Sequence, residues 1–280
     1  MDEALEASEV VFNKVGKMTV FKKRQTVILK ECSFKCERQK LTVLIGPSGC
    51  GKTTIINLIA GYERPDLGEV LIDGKKVPGP DWERLVVFQE TALFPWLTCY
   101  ENVMFGPLAR QVMSEEAAHN LALGLLRKVG LEGFHDKHPS QLSGGMQRRA
   151  ELARALINQP RVMLMDEPFR GLDAMTRKLM QEYYLKLFEE NNATHVFVTS
   201  EVDEAIFLAD NLMVMTNRPS RVKKEIHVDL ERPRNWSIAT SKRYLEIKAE
   251  ALELLHEEAL KASKTSEKVD IDLSGFSQAS

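Results

Sequence analysis

The sequence predicts an α/β fold, and three observations predict it. Apolar, β-branched runs alternate with helical patterns through most of the 280 residues. Three of the runs, LTVLI, RVMLMD and THVFVT, are almost continuously apolar, as strands buried on both faces of a parallel sheet must be. A glycine-rich stretch, GPSGCGKTT, stands between the first of these runs and a helical pattern.

In chain order, strands are expected at Glu9–Val15, Thr26–Cys36, Leu41–Ile45, Leu85–Gln89, Val162–Met165, Thr194–Thr199 and Asn211–Met215. Helices are expected at Lys52–Tyr62, Glu115–Val129, Gly144–Asn158, Ala174–Asn191 and Glu201–Leu208. From Thr91 to Asn158 the alternation stops, and the chain reads as a helical subdomain inserted into the core. Ser114 suits an N-cap there, with Glu115 and Glu116 at the positive end of the helix. After Pro233, Leu245, Ala249, Leu252, Leu255 and Ala259 share one face of a charged helix. The expected organisation is a domain over 1–235, a C-terminal helix over 236–262 and a loose polar tail over 263–280.

Composition excludes several function classes. With 38 Lys+Arg against 40 Asp+Glu there is no basic excess, so no nucleic-acid partner is expected. No run approaches the ~20 apolar residues that span a bilayer, and MDEALEASEV is unlike a secretory signal. The chain is expected in the cytosol, held at a membrane only by a partner. Cys32, Cys36, Cys50 and Cys99 form no C-x-x-C pair and read as reduced structural thiols. The histidines show no H-E-x-x-H spacing, so a metal site built from protein ligands alone is not expected.

Gly46, Pro47, Ser48, Gly49, Cys50, Gly51, Lys52, Thr53 and Thr54 fit G-x-x-x-x-G-K-[ST] in the strand-to-helix context that motif requires. Glycines let such a loop turn several backbone N–H groups toward phosphate oxygens, and the helix start adds positive potential. Lys52 offers a cation to the β/γ-phosphates, and the Thr53 hydroxyl can ligate Mg²⁺. The alternative is a glycine-rich turn without a ligand. Further on, RVMLMDEP places Asp166 at a strand end near the Mg²⁺, and Glu167 next to it can orient or deprotonate a water. These residues point to a nucleoside-triphosphate site.

LSGGMQRRAELARAL, Leu142 to Leu156, resembles the signature of the ABC transporter ATPases, placed shortly before the acidic strand. Ser143, Gly144 and Gly145 offer a hydroxyl and unshielded N–H groups at a helix start. The resemblance covers nearly the whole chain and implies a P-loop NTPase core. That core has a RecA-like parallel sheet, an antiparallel β subdomain and an inserted helical subdomain. It implies ATP and Mg²⁺ as ligands, held between one subunit's glycine loop and another's signature. By the same resemblance, Gln89 lies in the Q-loop and contributes to the metal site with Thr53 and Asp166, while Asp173 lies in the D-loop. Phe21 is the candidate for stacking on adenine, with a packing role equally open; Phe12 and Phe34 read as core. VVFQETALFPWLTCYENVMFG and VDEAIFLADNLMVMTNRPSRVKKEIHVDLERPR are similar to the nitrate/sulfonate/taurine/bicarbonate importer group. That group implies an integral membrane transport subunit, a second ATPase subunit and, indirectly, a solute-binding protein. The chain would then sit peripherally on the cytoplasmic face of the cell membrane. Phe94, Trp96, Leu97 and Tyr100 would line a groove for the membrane subunit, or else pack the lobe.

Two positions depart from the family. Ser200 stands where a phosphate-sensing His is usual, and losing such a preorganised contact costs ~10²–10³ in rate. His195 lies roughly 16 Å back along the strand, on its other face, and cannot substitute. Arg170 replaces a small residue, and is expected to meet a partner's acid or nothing. The expected function is therefore an importer ATPase whose own site turns over weakly, with Lys52, Gln89, Glu167 and Ser200 as its catalytic set. A heterodimer with a sister ATPase is favoured over a homodimer. A soluble ABC-type ATPase acting on a non-transport partner is the alternative.

Overall fold

The computed structural model describes residues 6–21, 24–111 and 113–270, excepting the side chains of 21, 24 and 263–270. Strands β1 (Val10–Phe21) and β2 (Arg24–Cys36) pair antiparallel. With β4 (Leu67–Ile72) and β5 (Lys75–Lys76) they form a four-stranded sheet in the order β2-β1-β4-β5. The β4–β5 turn is Asp73-Gly74, with φ of 49° and 76°, the pair of positive φ values that a two-residue hairpin needs.

The second sheet has the order β10-β9-β3-β8-β7-β6. Its strands are β3 (Leu41–Ile45), β6 (Arg84–Val87), β7 (Val162–Asp166), β8 (Thr194–Thr199), β9 (Asn211–Met215) and β10 (Val222–His227). All neighbours run parallel except β10, which returns antiparallel to β9. Helix α1 (Lys52–Ala60) fills the space between the two sheets, where Ile55, Ile56 and Ile59 meet Leu44, Leu164 and Val198. On the opposite face, α5 (Ala174–Glu189) and α6 (Val202–Leu208) cover the sheet around Phe169, Tyr184 and Phe197.

Between β6 and β7 the chain carries α2 (Cys99–Arg110), α3 (Glu115–Lys128), a 3-10 turn at Pro139–Gln141 and α4 (Gly144–Leu156), with a core of its own around Val103, Ala122 and Ala153. Helix α2 was not expected. Its start is a full capping box, in which Thr98 Oγ1 accepts from the Glu101 N–H at 3.2 Å and Glu101 Oε2 accepts from the Thr98 N–H at 2.7 Å. Gly106 and Pro107 break the helical pattern at its far end.

The C-terminal helix corrects the sequence reading twice. Residues 236–240 form a 3-10 turn, α7 runs Lys242–Asp270, and so it takes in the first eight residues of the expected tail; 271–280 lie outside the described residues. Its buried face is Tyr244, Ile247, Ala251 and Glu258, while Leu245 and Leu252 are about half exposed at 52% and 46%. Polar anchors turn the helix. Tyr244 Oη donates to Asp203 Oδ1 at 2.8 Å, and Glu258 accepts from the Asn217 N–H at 3.0 Å and pairs with Lys261 at 2.7 Å and Lys223 at 3.0 Å.

Burial alone would raise the Glu258 carboxyl, but Lys261, the Asn217 N–H and Lys223 outweigh it and hold it at about 2. A carboxylate depressed in the fold stabilises fully above its ordinary pKa, and the contribution fades as pH falls toward about 2. Glu258→Ala should therefore loosen α7 at neutral pH by ~1–3 kcal/mol, read as faster amide exchange along the helix, with the difference from the parent closing in acid.

Candidate active site

The parallel strands end on one edge, and the chemistry gathers there. After β3, the loop from Gly46 to Gly51 curls back over the start of α1. Gly51 is the N-cap at φ 113°, and a Cβ on it would lie 2.7 Å from Ile28 Cγ2. A Cβ on Gly46 would lie 2.8 Å from Met215 Cβ, so both positions need glycine for space. Ser48, Gly49 and Thr53 remain exposed, while Cys50, Gly51 and Lys52 are buried. Thr54 is half-buried, the third residue of the helix. The Lys52 ammonium donates to the Gly46 carbonyl at 3.0 Å and the Pro47 carbonyl at 3.4 Å.

Strand β7 delivers both acids to this loop. Thr53 Oγ1 donates to Asp166 Oδ1 at 3.2 Å, and Glu167 Oε1 lies 3.8 Å from Lys52 Nζ. Burial raises the Asp166 carboxyl, aided by the Glu167 charge and opposed by the Thr53 hydroxyl and Lys52. Glu167 has φ 44°, a left-handed conformation rarely held by a residue with a Cβ and common at functional sites. Its N–H is tied to the Val198 carbonyl at 3.0 Å.

Thr53 and Asp166 thus set a hydroxyl and a carboxylate side by side, the hard-oxygen pair that suits Mg²⁺ completed by phosphate oxygens. Among the described residues no three His, Cys, Asp or Glu side chains gather to hold an ion by themselves. Gln89 lies two residues past β6, whose Val87 pairs with Met165, so it leaves the sheet level with the acidic pair. Its side chain is exposed.

Both departures from the family converge on Glu167. Ser200 Oγ donates to Glu167 Oε1 at 2.8 Å. Arg170 Nη1 donates to Glu167 Oε2 at 2.9 Å, so it meets neither a partner's acid nor nothing, but an acid of its own chain. His195 sits in the core against Phe188, bonded to Tyr184 Oη at 2.7 Å. Burial, and then Arg232, push its pKa down to about 3, a neutral core histidine.

The signature residues lie apart from this cluster. Ser143 caps α4 by accepting from the Met146 N–H at 3.3 Å, and Ser143 and Gly144 are exposed. A Cβ on Gly145 would lie 3.0 Å from Thr176, and one on Gly144 3.5 Å from Leu172. Asp173 caps α5 between those two, accepting from the Thr176 N–H at 3.0 Å. The structure therefore joins signature to D-loop, and cradle to acidic strand end. Phe21 ends β1, but its side chain lies outside the described residues. Phe12 is buried and stacks on Phe34 with centroids 4.4 Å apart.

Sequence reasoning missed the grip between lobe and core. Arg148 on α4 donates to the Phe88 and Gln89 carbonyls, both at 2.7 Å, and pairs with Glu151 at 2.5 Å. Glu151 accepts from the Ala92 N–H at 3.1 Å, and Arg154 donates to the Ala92 carbonyl at 2.8 Å. The signal was the placing of Arg148 and Glu151 among apolar positions of α4. Beside this grip is an apolar groove of about 270 Å³, lined by Trp82, Val87, Phe94, Phe105, Arg110 and Arg154. Of the four aromatic and apolar residues expected in a groove, Phe94 lines it. Tyr100 turns into the lobe and bonds His119 at 2.7 Å, and Trp96 is 70% exposed against Phe94.

The ABC transporter family profile matches residues 29–170. An uncharacterized ABC transporter ATP-binding protein of Methanocaldococcus jannaschii is 47% identical over 81% of this chain and 84% of its own. The taurine import ATP-binding protein TauB of Roseobacter denitrificans is 45% identical over 70% of this chain and 73% of its own. Among solved structures, a dimeric ATP-binding cassette in a post-hydrolysis state with ADP and Pi superposes with a TM-score of 0.68 at 31% identity. It matches 79% of this chain and all of its own.

Gly51→Ala should lower ATP affinity by about tenfold or more, since strain at positive φ and the Ile28 clash together exceed the ~1.4 kcal/mol that a tenfold change represents. Fluorescent-nucleotide titration checks it; an unchanged affinity would show that the curl of this loop does not govern binding.

Proposed function

The chain belongs to the ABC transporter family of ATP-hydrolysing subunits, and from that premise we propose that it drives an importer for a small taurine- or sulfonate-like solute. The observation that carries the reading is the meeting of Lys52 with Glu167 and of Thr53 with Asp166 at one sheet edge. The import reading draws on the relatives named for taurine and aliphatic sulfonates. In this reading the loop N–H groups and Lys52 bind and orient the phosphates of ATP. Thr53, Asp166 and Gln89 would hold Mg²⁺, which when bound neutralises charge on the β- and γ-phosphates. Glu167 orients the attacking water and accepts its proton.

Ser143, Gly144, Gly145 and Asp173 then serve the nucleotide of a second ATPase subunit. Their grouping away from the cradle supports this, since one chain has no use for two phosphate sites on one nucleotide. The groove at Phe94 and Phe105 receives a short segment of a membrane-spanning subunit at the cytoplasmic face, with a solute-binding protein beyond it. Among the described residues no helix is long and apolar enough to cross a membrane, so the membrane path belongs to that partner.

Ser200 donates to Glu167, yet a serine is shorter than the family's His and carries no charge to the γ-phosphate. The chain's own site therefore turns over slowly, and its signature completes a faster site in a heterodimer with a sister ATPase. Purified alone, it should bind ATP and hydrolyse it weakly. Ser200→His should raise turnover by ~10-fold or more, and Glu167→Gln should abolish it. Family-typical turnover by the lone parent chain, lost in Glu167→Gln, sinks the weak-site reading. Failure to co-purify with a multi-spanning membrane protein sinks the importer reading.

A further inference from the structure

We infer that Arg170 is a positioning residue for ATP hydrolysis, which with Ser200 fixes both oxygens of Glu167 and replaces the hold of one longer side chain. The inference rests on the reading of Glu167 as the group that orients water. Ser200 Oγ engages Oε1 at 2.8 Å, and Arg170 Nη1 engages Oε2 at 2.9 Å. A carboxylate tied at one oxygen can pivot about that bond. A second donor on the other oxygen removes the pivot.

The energy of the ion pair does not explain its presence. Arg170 is 63% exposed and Glu167 14%, and pairs open to solvent contribute little to stability. What the pair supplies is direction. The turn that presents Arg170 is itself fixed: its N–H donates to the Glu167 carbonyl at 3.1 Å, and Gly171 follows at φ 86°. Two hydrogen bonds leave about half of the roughly four acceptor sites of a carboxylate open. A cleft of about 200 Å³ opens beside them, lined by Ser48, Glu167, Arg170, Arg177, Thr199 and Ser200. That volume admits a water between the carboxylate and the phosphate loop.

The test is single-turnover hydrolysis with the chain in excess over ATP, paired with ATP affinity by fluorescent-analogue titration. Arg170→Ala should slow hydrolysis about tenfold, as a misoriented group does, with affinity held within about twofold. Arg170→Lys should recover part of the rate. In a Ser200→His background, Arg170→Ala should lose most of its effect, because coupled residues are not additive. Equal slowing in both backgrounds, an unchanged or faster Arg170→Ala, or no turnover by the parent chain overturns the inference. If Arg170→Ala loses affinity through misfolding, Arg170→Lys decides alone: a rate equal to the parent's overturns the clamp, and a slower rate at full affinity supports it. Ser200→His against the parent tests the weak-site reading separately.

Discussion

The site is organised around one buried cation. Lys52 is 6% exposed, and an ammonium taken out of water must be surrounded by acceptors. Two come from the loop itself, the carbonyls of Gly46 and Pro47, and the third is the carboxylate of Glu167, just past a strand more than a hundred residues away. For the carbonyls to reach Nζ, the loop must curl, and the curl demands the left-handed conformations of Gly49 and Gly51. For Glu167 to reach it, the chain must turn sharply after β7, which it does at φ 44°. The same requirement sets β3 and β7 on either side of β8, so that both loops emerge on one edge. A phosphate that replaces the carbonyls finds an ammonium already in place.

The helical lobe is held by a second buried charge problem. Arg148 and Glu151 are both nearly inaccessible, at 3% and 2% exposed. Burial pushes the Glu151 carboxyl up and the Arg148 guanidinium down from their ordinary values, and each opposes the other's shift. Removing one would strand the other, and such a loss is far costlier than the pair's net contribution. Their remaining hydrogen bonds go to the backbone at Phe88, Gln89 and Ala92, so the helix that Ser143 caps is fastened to the segment beside the acidic strand. The lobe and the backbone of Gln89 are thereby joined through buried polar contacts.

How much was legible in the sequence follows from where the signal was local. Strands β3, β8 and β9 were bounded as the structure has them, because a strand buried on both faces is written as an unbroken apolar run. β4, β5 and β10 were missed. β5 and β10 are edge strands with charged residues such as Lys75, Lys76 and Lys224, β4 lies next to an edge and opens on the exposed Leu67 and Gly68, and only the Asp73-Gly74 turn marked the hairpin. The face of α7 was misread because leucines were weighed and anchors were not. Tyr244 and Glu258 reach Asp203 and Asn217, partners that are distant in sequence. Asp166 and Glu167 were found from local order, whereas the meeting of Arg170 with Glu167 depends on a turn geometry that residue types do not encode.

Exposure rises along one line through the site. Lys52 is 6% exposed, Glu167 14% and Arg170 63%, each within ion-pair distance of the next. A single carboxylate therefore connects the floor of the phosphate loop to a guanidinium on the surface. Arg170 is followed at once by Gly171, Leu172 and Asp173, the turn that packs beside Gly144 and Gly145. A histidine at 200 would hold the carboxylate from the inner side, indifferent to that surface. With serine there, part of the hold lies outward, on an arginine 63% exposed at the start of the Arg170–Asp173 turn.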